Sequence, residues 1–111
     1  LKRFDAALNL GKQLLVGNPT LEGLYDVIGK AYMEKQDVGS ARKAYSKAIN
    51  IAPEFISARF NLASLELRQK EYKTAKNSFK QTLKIDPKNR MSIKQLSVIA
   101  ESNNDIRQAI K

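Results

Sequence analysis

Apolar residues along this chain recur at three- and four-residue spacing in short stretches, each ended by a polar break. From Leu21 to Glu34 the stripe consists of Leu21, Leu24, Tyr25, Ile28, Ala31 and Tyr32, the pattern of an amphipathic helix. Lys35-Gln36-Asp37 interrupts it, and Asp37 is placed to cap a second helix from Val38 to about Ile51. That helix carries Val38, Ala41, Tyr45, Ala48 and Ile49 on one face. Asn18-Pro19 and Asp86-Pro87 predict a cap followed by proline at the first helical position, and Ala52-Pro53 keeps the proline without the cap. Connections this short predict antiparallel neighbours, so the pattern reads as paired helices with no strand.

The pattern repeats. Pro19, Pro53 and Pro87 are each separated by 34 residues, and the same step links Ala7, Ala41, Ala75 and Ala109. It also joins Phe4, Val38, Tyr72 and Ile106, then Leu15, Ile49 and Leu83, then Ile28, Leu62 and Leu96. Small residues recur at Gly29, Ala63 and Ser97, and acids at Asp37, Glu71 and Asp105. So many columns at one period define a helical repeat. The chain divides into residues 1–19, a second helix of a preceding repeat; full repeats at 22–55 and 56–89; and a partial repeat at 90–111, read as a first helix plus the opening turns of another second helix.

Tyr25, Ile28, Gly29, Tyr32, Ala41, Tyr45, Ala48 and Pro53 fall in the order and spacing of the tetratricopeptide repeat (TPR) signature, and the chain resembles that family throughout. The repeat at 56–89 keeps Leu62, Ala63, Ala75, Phe79 and Pro87, but has Arg59 and Glu66 at its two first-helix aromatic places and Thr82 at the later alanine. Gly11 stands where the preceding repeat should have a ring. The resemblance implies an all-α solenoid of antiparallel helix pairs wound into a right-handed superhelix. Physics gives the columns the same meaning. Gly29 and Ala63 admit a close helix, Ala41 and Ala75 supply the matching flat spot, and Tyr45 and Phe79 fill the wedge between hairpins.

By resemblance, a peptide or partner helix would lie in a concave groove lined by first helices. Its candidate residues are Asp26, Val27, Lys30, Met33 and Glu34, then Phe60, Asn61, Ser64 and Arg68, then Lys94, Gln95 and Val98. Phe60 is the aromatic outside the core stripe and the expected apolar anchor of that surface. TPR domains that grip the terminal carboxylate of chaperones use Lys, Asn, Asn, Lys and Arg. Here only Asn61 has its counterpart, because Asp26, Lys30, Met91 and Gln95 occupy the other four places, and the resemblance therefore implies no such clamp.

Composition narrows the chemistry. The 111 residues include 20 Lys+Arg and 11 Asp+Glu, giving a formal charge of +9, with no His, Cys or Trp. That removes disulfides, thiol nucleophiles, Cys/His zinc sites and imidazole bases, and no glycine-rich phosphate loop or nucleophile elbow is present. The reading is a non-catalytic binding scaffold with no cofactor or metal. The excess charge falls on second helices, at Lys73, Lys76, Lys80 and Lys84 and at Arg42, Lys43 and Lys47, a face that normally serves solubility. The alternative is a basic module that engages nucleic acid or an anionic envelope polymer through that convex face. Groove cations are balanced by Asp26, Glu34 and Glu101, and a 34-residue step is not that of RNA-reading pentatricopeptide repeats, so nucleic acid is the weaker choice.

The run at Ser57–Leu67, followed by Leu83–Asn89, is also similar to bacterial TPR lipoproteins of exosortase and exopolysaccharide-export systems, which implies a cell-envelope setting. Without that likeness the expectation is a cytoplasmic protein. No run approaches the ~20 apolar residues of a membrane span. Partial repeats at the two ends predict open apolar faces at Leu8, Leu15, Ile93 and Ile99, and self-association through them.

Overall fold

The computed structural model describes the backbone of residues 2–17 and 20–110, and the side chains of these except at 2, 4 and 102–110. Expectations placed on Phe4, Asn18, Pro19, Asp105, Ile106 and Ala109 concern structure outside that description. The described residues form six helices and no strand. They are α1 (Lys2–Gly17), α2 (Glu22–Glu34), α3 (Val38–Ile51), α4 (Ile56–Arg68), α5 (Tyr72–Ile85) and α6 (Arg90–Ile110). Each helix packs on the next, and the stack extends 56 Å in its longest direction.

The two hairpin turns are built alike. After α2, the Asp37 amide donates to Tyr32 O at 2.9 Å and the Gln36 amide to Met33 O. After α4, Glu71 and Lys70 make the same bonds to Glu66 O and Leu67 O. Both turns need a left-handed residue, supplied by Gln36 (φ 64°) and Lys70 (φ 62°) rather than by glycine. Asp37 then caps α3 as the sequence predicts, accepting from the Ser40 amide at 3.2 Å, and the Ser40 contact holds its carboxyl below the usual range. Glu71, in register with it, makes no side-chain cap; its carboxylate takes Arg42 Nη2 at 2.6 Å instead.

The prolines have a different place from the one expected. Pro53 and Pro87 lie in the turns after α3 and α5, where proline ends a helix, and not at the first position of the next. Asn89 is the side chain that caps α6, accepting from the Ser92 amide at 2.9 Å, while Asp86 accepts locally from the Lys88 amide. α6 also runs unbroken from Arg90 to Ile110, without the turn expected partway through 90–111.

Small residues set how closely the helices approach. Ala41, Ala48, Ala58, Ala63 and Ala75 are completely buried. Gly29 lies beneath the Tyr45 ring, and a Cβ added there would come within 2.5 Å of Tyr45 Cε1. Gly11 does the same for Ile28, whose Cγ1 would be 2.8 Å from such an atom, so the missing ring in α1 is replaced by a side chain from α2. Tyr45 packs with Ala41 and Leu65, and Phe79 with Ala63, Ala75 and Ile99. Leu8 and Ile99, expected at the open ends, are buried instead, Leu8 against Ile28 and Ile99 against Phe79, and Leu15 is half-buried. Ile93 is exposed, and so are Leu10, Leu14 and Val16 on α1. Tyr72, in register with Val38, is 41% exposed at the first turn of α5.

The polar departures in the repeat at 56–89 are each satisfied. Glu66 is buried and accepts from Ser78 Oγ at 2.6 Å; burial pushes its carboxyl up, with Ser78 and Arg42 opposing. Thr82 Oγ1 donates to Ser78 O at 3.0 Å. Arg59 donates from Nε to Pro53 O and from Nη1 to Gln81 Oε1, the latter at 3.1 Å.

Candidate recognition groove

The first helices α2 and α4 run side by side, and the space between them is the candidate site. Helical spacing brings Lys30, Met33 and Glu34 of α2 to one bank and Asn61, Ser64 and Arg68 of α4 to the other. Together with Tyr45 and Leu65 they enclose a depression of about 210 Å³. Six of the twelve residues predicted for the groove, Lys30, Met33, Glu34, Asn61, Ser64 and Arg68, thus meet in one place. The depression carries two cations against Glu34.

Asp26 is the hinge of this arrangement. It is 5% exposed, and both carboxylate oxygens are taken, Oδ2 by Ser57 Oγ at 2.6 Å and Oδ1 by Asn61 Nδ2 at 2.9 Å. Ser57 and Asn61 are four residues apart on α4, so they present to the same side and grip the carboxylate together. A buried charge tolerates such a place only when its acceptor sites are filled. The pair ties α2 to α4 and fixes the width of the groove. It also commits the Asn61 amide to a carboxylate from within the chain. Tyr45 lies below; burial, and secondarily the Asp26 charge, pushes its phenol well above the usual range, so it stays a neutral hydroxyl.

Five predicted residues stand elsewhere. Phe60 is half-buried, with its ring 5.6 Å from that of Phe79 at an interplanar angle of 60°, and it joins the cluster of Ala63, Ala75 and Ile99. It is three residues before Ala63 on the same helical face, and the small alanine leaves the room its ring occupies. It is therefore a packing residue, not the exposed anchor expected of it. Lys94 is exposed and Gln95 half-buried on α6, outside the depression. Val27 and Val98, also expected to line the groove, are exposed on α2 and α6. Sequence reasoning missed Leu65 and the edge of Tyr45 as the floor; Leu65 follows Asn61 by four residues, which was the available signal.

Comparison with known proteins gives consistent results. Family models described as TPR repeat and tetratricopeptide repeat match residues 29–69 and 56–89, together more than half of the chain. The protein ycf37 of Pyropia yezoensis is 26% identical over 91 residues, covering 82% of this chain and 51% of its own length. Its counterpart in Cyanophora paradoxa is 35% identical over 77 residues, covering 68% and 44%. The chain thus spans about half the length of these curated relatives. Among solved structures, the first TPR of Spaghetti (RPAP3) bound to an HSP90 peptide superposes with a TM-score of 0.85 at 16% identity, over 93% of this chain and 82% of that one, a likeness of fold.

Proposed function

The chain belongs to the tetratricopeptide repeat family, and on that footing we propose that it is a non-catalytic protein-interaction scaffold holding an extended peptide or a partner helix across α2 and α4. The observation that carries this reading is the depression itself: the partly exposed Met33, backed by the buried Leu65 and Tyr45, forms its apolar floor, ringed by Lys30, Glu34, Ser64 and Arg68. An apolar seat inside a polar rim is how short segments are anchored and held in register. Met33 is the adaptable part of that floor, because its unbranched thioether chain repacks around different side chains.

The chaperone-tail mode is not the one we assign. The Spaghetti domain is described with an HSP90 peptide, but in this chain Asp26 already occupies the Asn61 amide and would repel a ligand carboxylate placed beside it. A partner segment that meets the groove through backbone groups and one apolar side chain fits better than a chain terminus.

The test is a random peptide library displayed on phage and selected on the chain. Selected peptides are expected to lose at least about tenfold in affinity on Met33→Glu and on Ser64→Arg, which blocks the groove, with helical content unchanged. Reversing Lys76, Lys80 and Lys84 to Glu on the exposed face of α5 is the control and is expected to leave affinity intact. Peptides that ignore the groove variants and are lost on the α5 reversal, with affinity falling steeply as salt rises, would transfer the function to the basic face.

A further inference from the structure

On the opposite side of α2 from the groove lies a second concavity, between α1 and α3. It has a volume of about 390 Å³, within the ~300–1,000 Å³ usual for ligand sites. Leu15, Ile28 and Ala44 supply its apolar lining, with Tyr25 and Tyr32 beside them. Three cations surround that lining, Lys12 from α1 and Lys43 and Lys47 from α3. The Lys12 ammonium lies 5.5 Å from the centre of the Tyr32 ring. Among the described residues, neither Lys43 nor Lys47 is in an ion pair. Asp37 at the start of α3 caps the helix through Ser40 and feels the Lys43 charge only at a distance, without an ion pair.

The repeat provides its own comparison. Moving 34 residues along the chain gives the same place between α3 and α5, lined by Ser46, Ile49, Arg59, Leu62, Ser78 and Gln81, with a volume of only about 190 Å³. There Arg59 stands where Tyr25 stands in the first copy, and it spans the cleft to Gln81 and Pro53. The rim changes with it: Lys12, Lys43 and Lys47 become Ser46, Asn77 and Gln81. The later copy is narrower and carries one cation, Arg59, bonded across it, while the earlier one is wider, apolar within and ringed by three lysines. Packing the repeat therefore does not require the lysine rim or the cavity.

We infer that the α1–α3 cleft is a second binding site, independent of the α2–α4 groove, for an acidic peptide segment carrying one large apolar side chain. Charge complementarity selects the occupant. Lys43 and Lys47 are one turn apart on one bank and Lys12 is on the other, which suits carboxylates on both sides of an inserted apolar residue. A single-headed anion such as a fatty acid would satisfy one bank only. A flat bilayer would meet the lysines before the recessed floor. Nucleic acid gains little here, since the Tyr32 face is already covered by Lys12 and the three lysines of this rim have Ser46, Asn77 and Gln81 as their counterparts in the next copy. A second copy of this chain, itself at +9, is repelled.

Fluorescence anisotropy with the labelled peptide Glu-Asp-Leu-Phe-Asp-Glu on the full chain tests this. The peptide is expected to bind, with affinity at least about tenfold weaker when Leu-Phe is replaced by Ser-Ser, and again when its acids are replaced by amides. Lys43→Glu with Lys47→Glu is expected to weaken binding by a similar factor, Lys43→Arg with Lys47→Arg to retain it, and Arg68→Glu in the groove to leave it unchanged. Tyr25→Arg with Lys47→Gln copies the Arg59–Gln81 bridge that narrows the later cleft and is expected to abolish binding while helical circular dichroism persists. Equal binding of the Ser-Ser peptide, indifference to the double Lys→Glu change, loss on Arg68→Glu, binding only to phosphatidylglycerol vesicles, or no binding at millimolar peptide would each overturn the inference.

Discussion

Gly29→Ala separates two effects of opposite sign. In an open helix the change gains about 0.5–1 kcal/mol, because glycine loses more backbone entropy on folding than alanine. At Gly29 the new methyl would lie 2.5, 2.7 and 2.9 Å from three carbons of the Tyr45 ring. Carbon atoms rest about 3.5–4.0 Å apart, so the ring must retreat by about 1 Å. Ala41 and Leu65, on which the 2%-exposed Tyr45 is packed, resist that movement. Overpacking of this kind costs about 1–3 kcal/mol, which outweighs the entropy gain at its midpoint and leaves a net loss of about 1 kcal/mol. Urea denaturation followed by circular dichroism measures it directly. Gly39 on α3, where an added Cβ meets nothing within 4 Å, is the matched control and is expected to gain a few tenths of a kcal/mol as alanine. In a Tyr45→Leu background the Gly29→Ala penalty should shrink by about 1 kcal/mol, the signature of two residues in contact. A Gly29→Ala midpoint equal to or above that of the parent would refute the close-approach account of the repeat.

Three further outcomes are expected. Ser92→Ala should stabilise the chain by about 1 kcal/mol in the same assay, because the buried Ser92 hydroxyl finds no hydrogen-bond partner among the described residues and its equivalent in the preceding repeat is Ala58. Lys70→Gly should gain about 0.5 kcal/mol by relieving the left-handed backbone at φ 62°, part of the relief being returned as glycine's extra chain entropy. Glu66 has its carboxyl raised by burial, so the native state holds its proton to higher pH than the unfolded chain does. Stability therefore falls as pH climbs from the ordinary glutamate value through the raised native one and is level above it, and Glu66→Gln should flatten that part of a stability-against-pH profile.

The packing columns were legible because a repeat states its core more than once. Ala41 and Ala75, Gly29 and Ala63, Tyr45 and Phe79 each occur in register, and the helix-pair geometry that buries one member buries the other. Positions without a repeated partner were harder to read. Phe60 has Asp26 as its equivalent, so no column says whether a ring there turns inward, and only the placement of Phe79 decides it. The bond between Asp26 and Asn61 joins two helices of different repeats, and no local pattern reports which acid finds which amide. The prolines misled for a related reason: proline suits both the first turn of a helix and the stretch just after one, and Asn89, not Asp86, has the geometry to cap α6.

What distinguishes this array from a plain stack is where its departures fall. Arg59, Glu66 and Thr82 all replace apolar or aromatic residues of the preceding repeat, and all three are held by polar partners near the α4–α5 hairpin. Arg59 narrows the cleft that Tyr25 leaves open, and Ser78, which receives Thr82 and donates to Glu66, stands where Ala44 lines the open one. Buried polar groups with filled valences rigidify their surroundings and admit no guest without breaking a bond. The same substitutions that complicate the core at 56–89 thus restrict the cleft there, and the consensus-like repeat at 22–55 is the one that retains free apolar surface. On this solenoid the wider cleft lies on one side of α2 in the repeat closest to the consensus, and the depression on the other side is lined by positions the consensus leaves free.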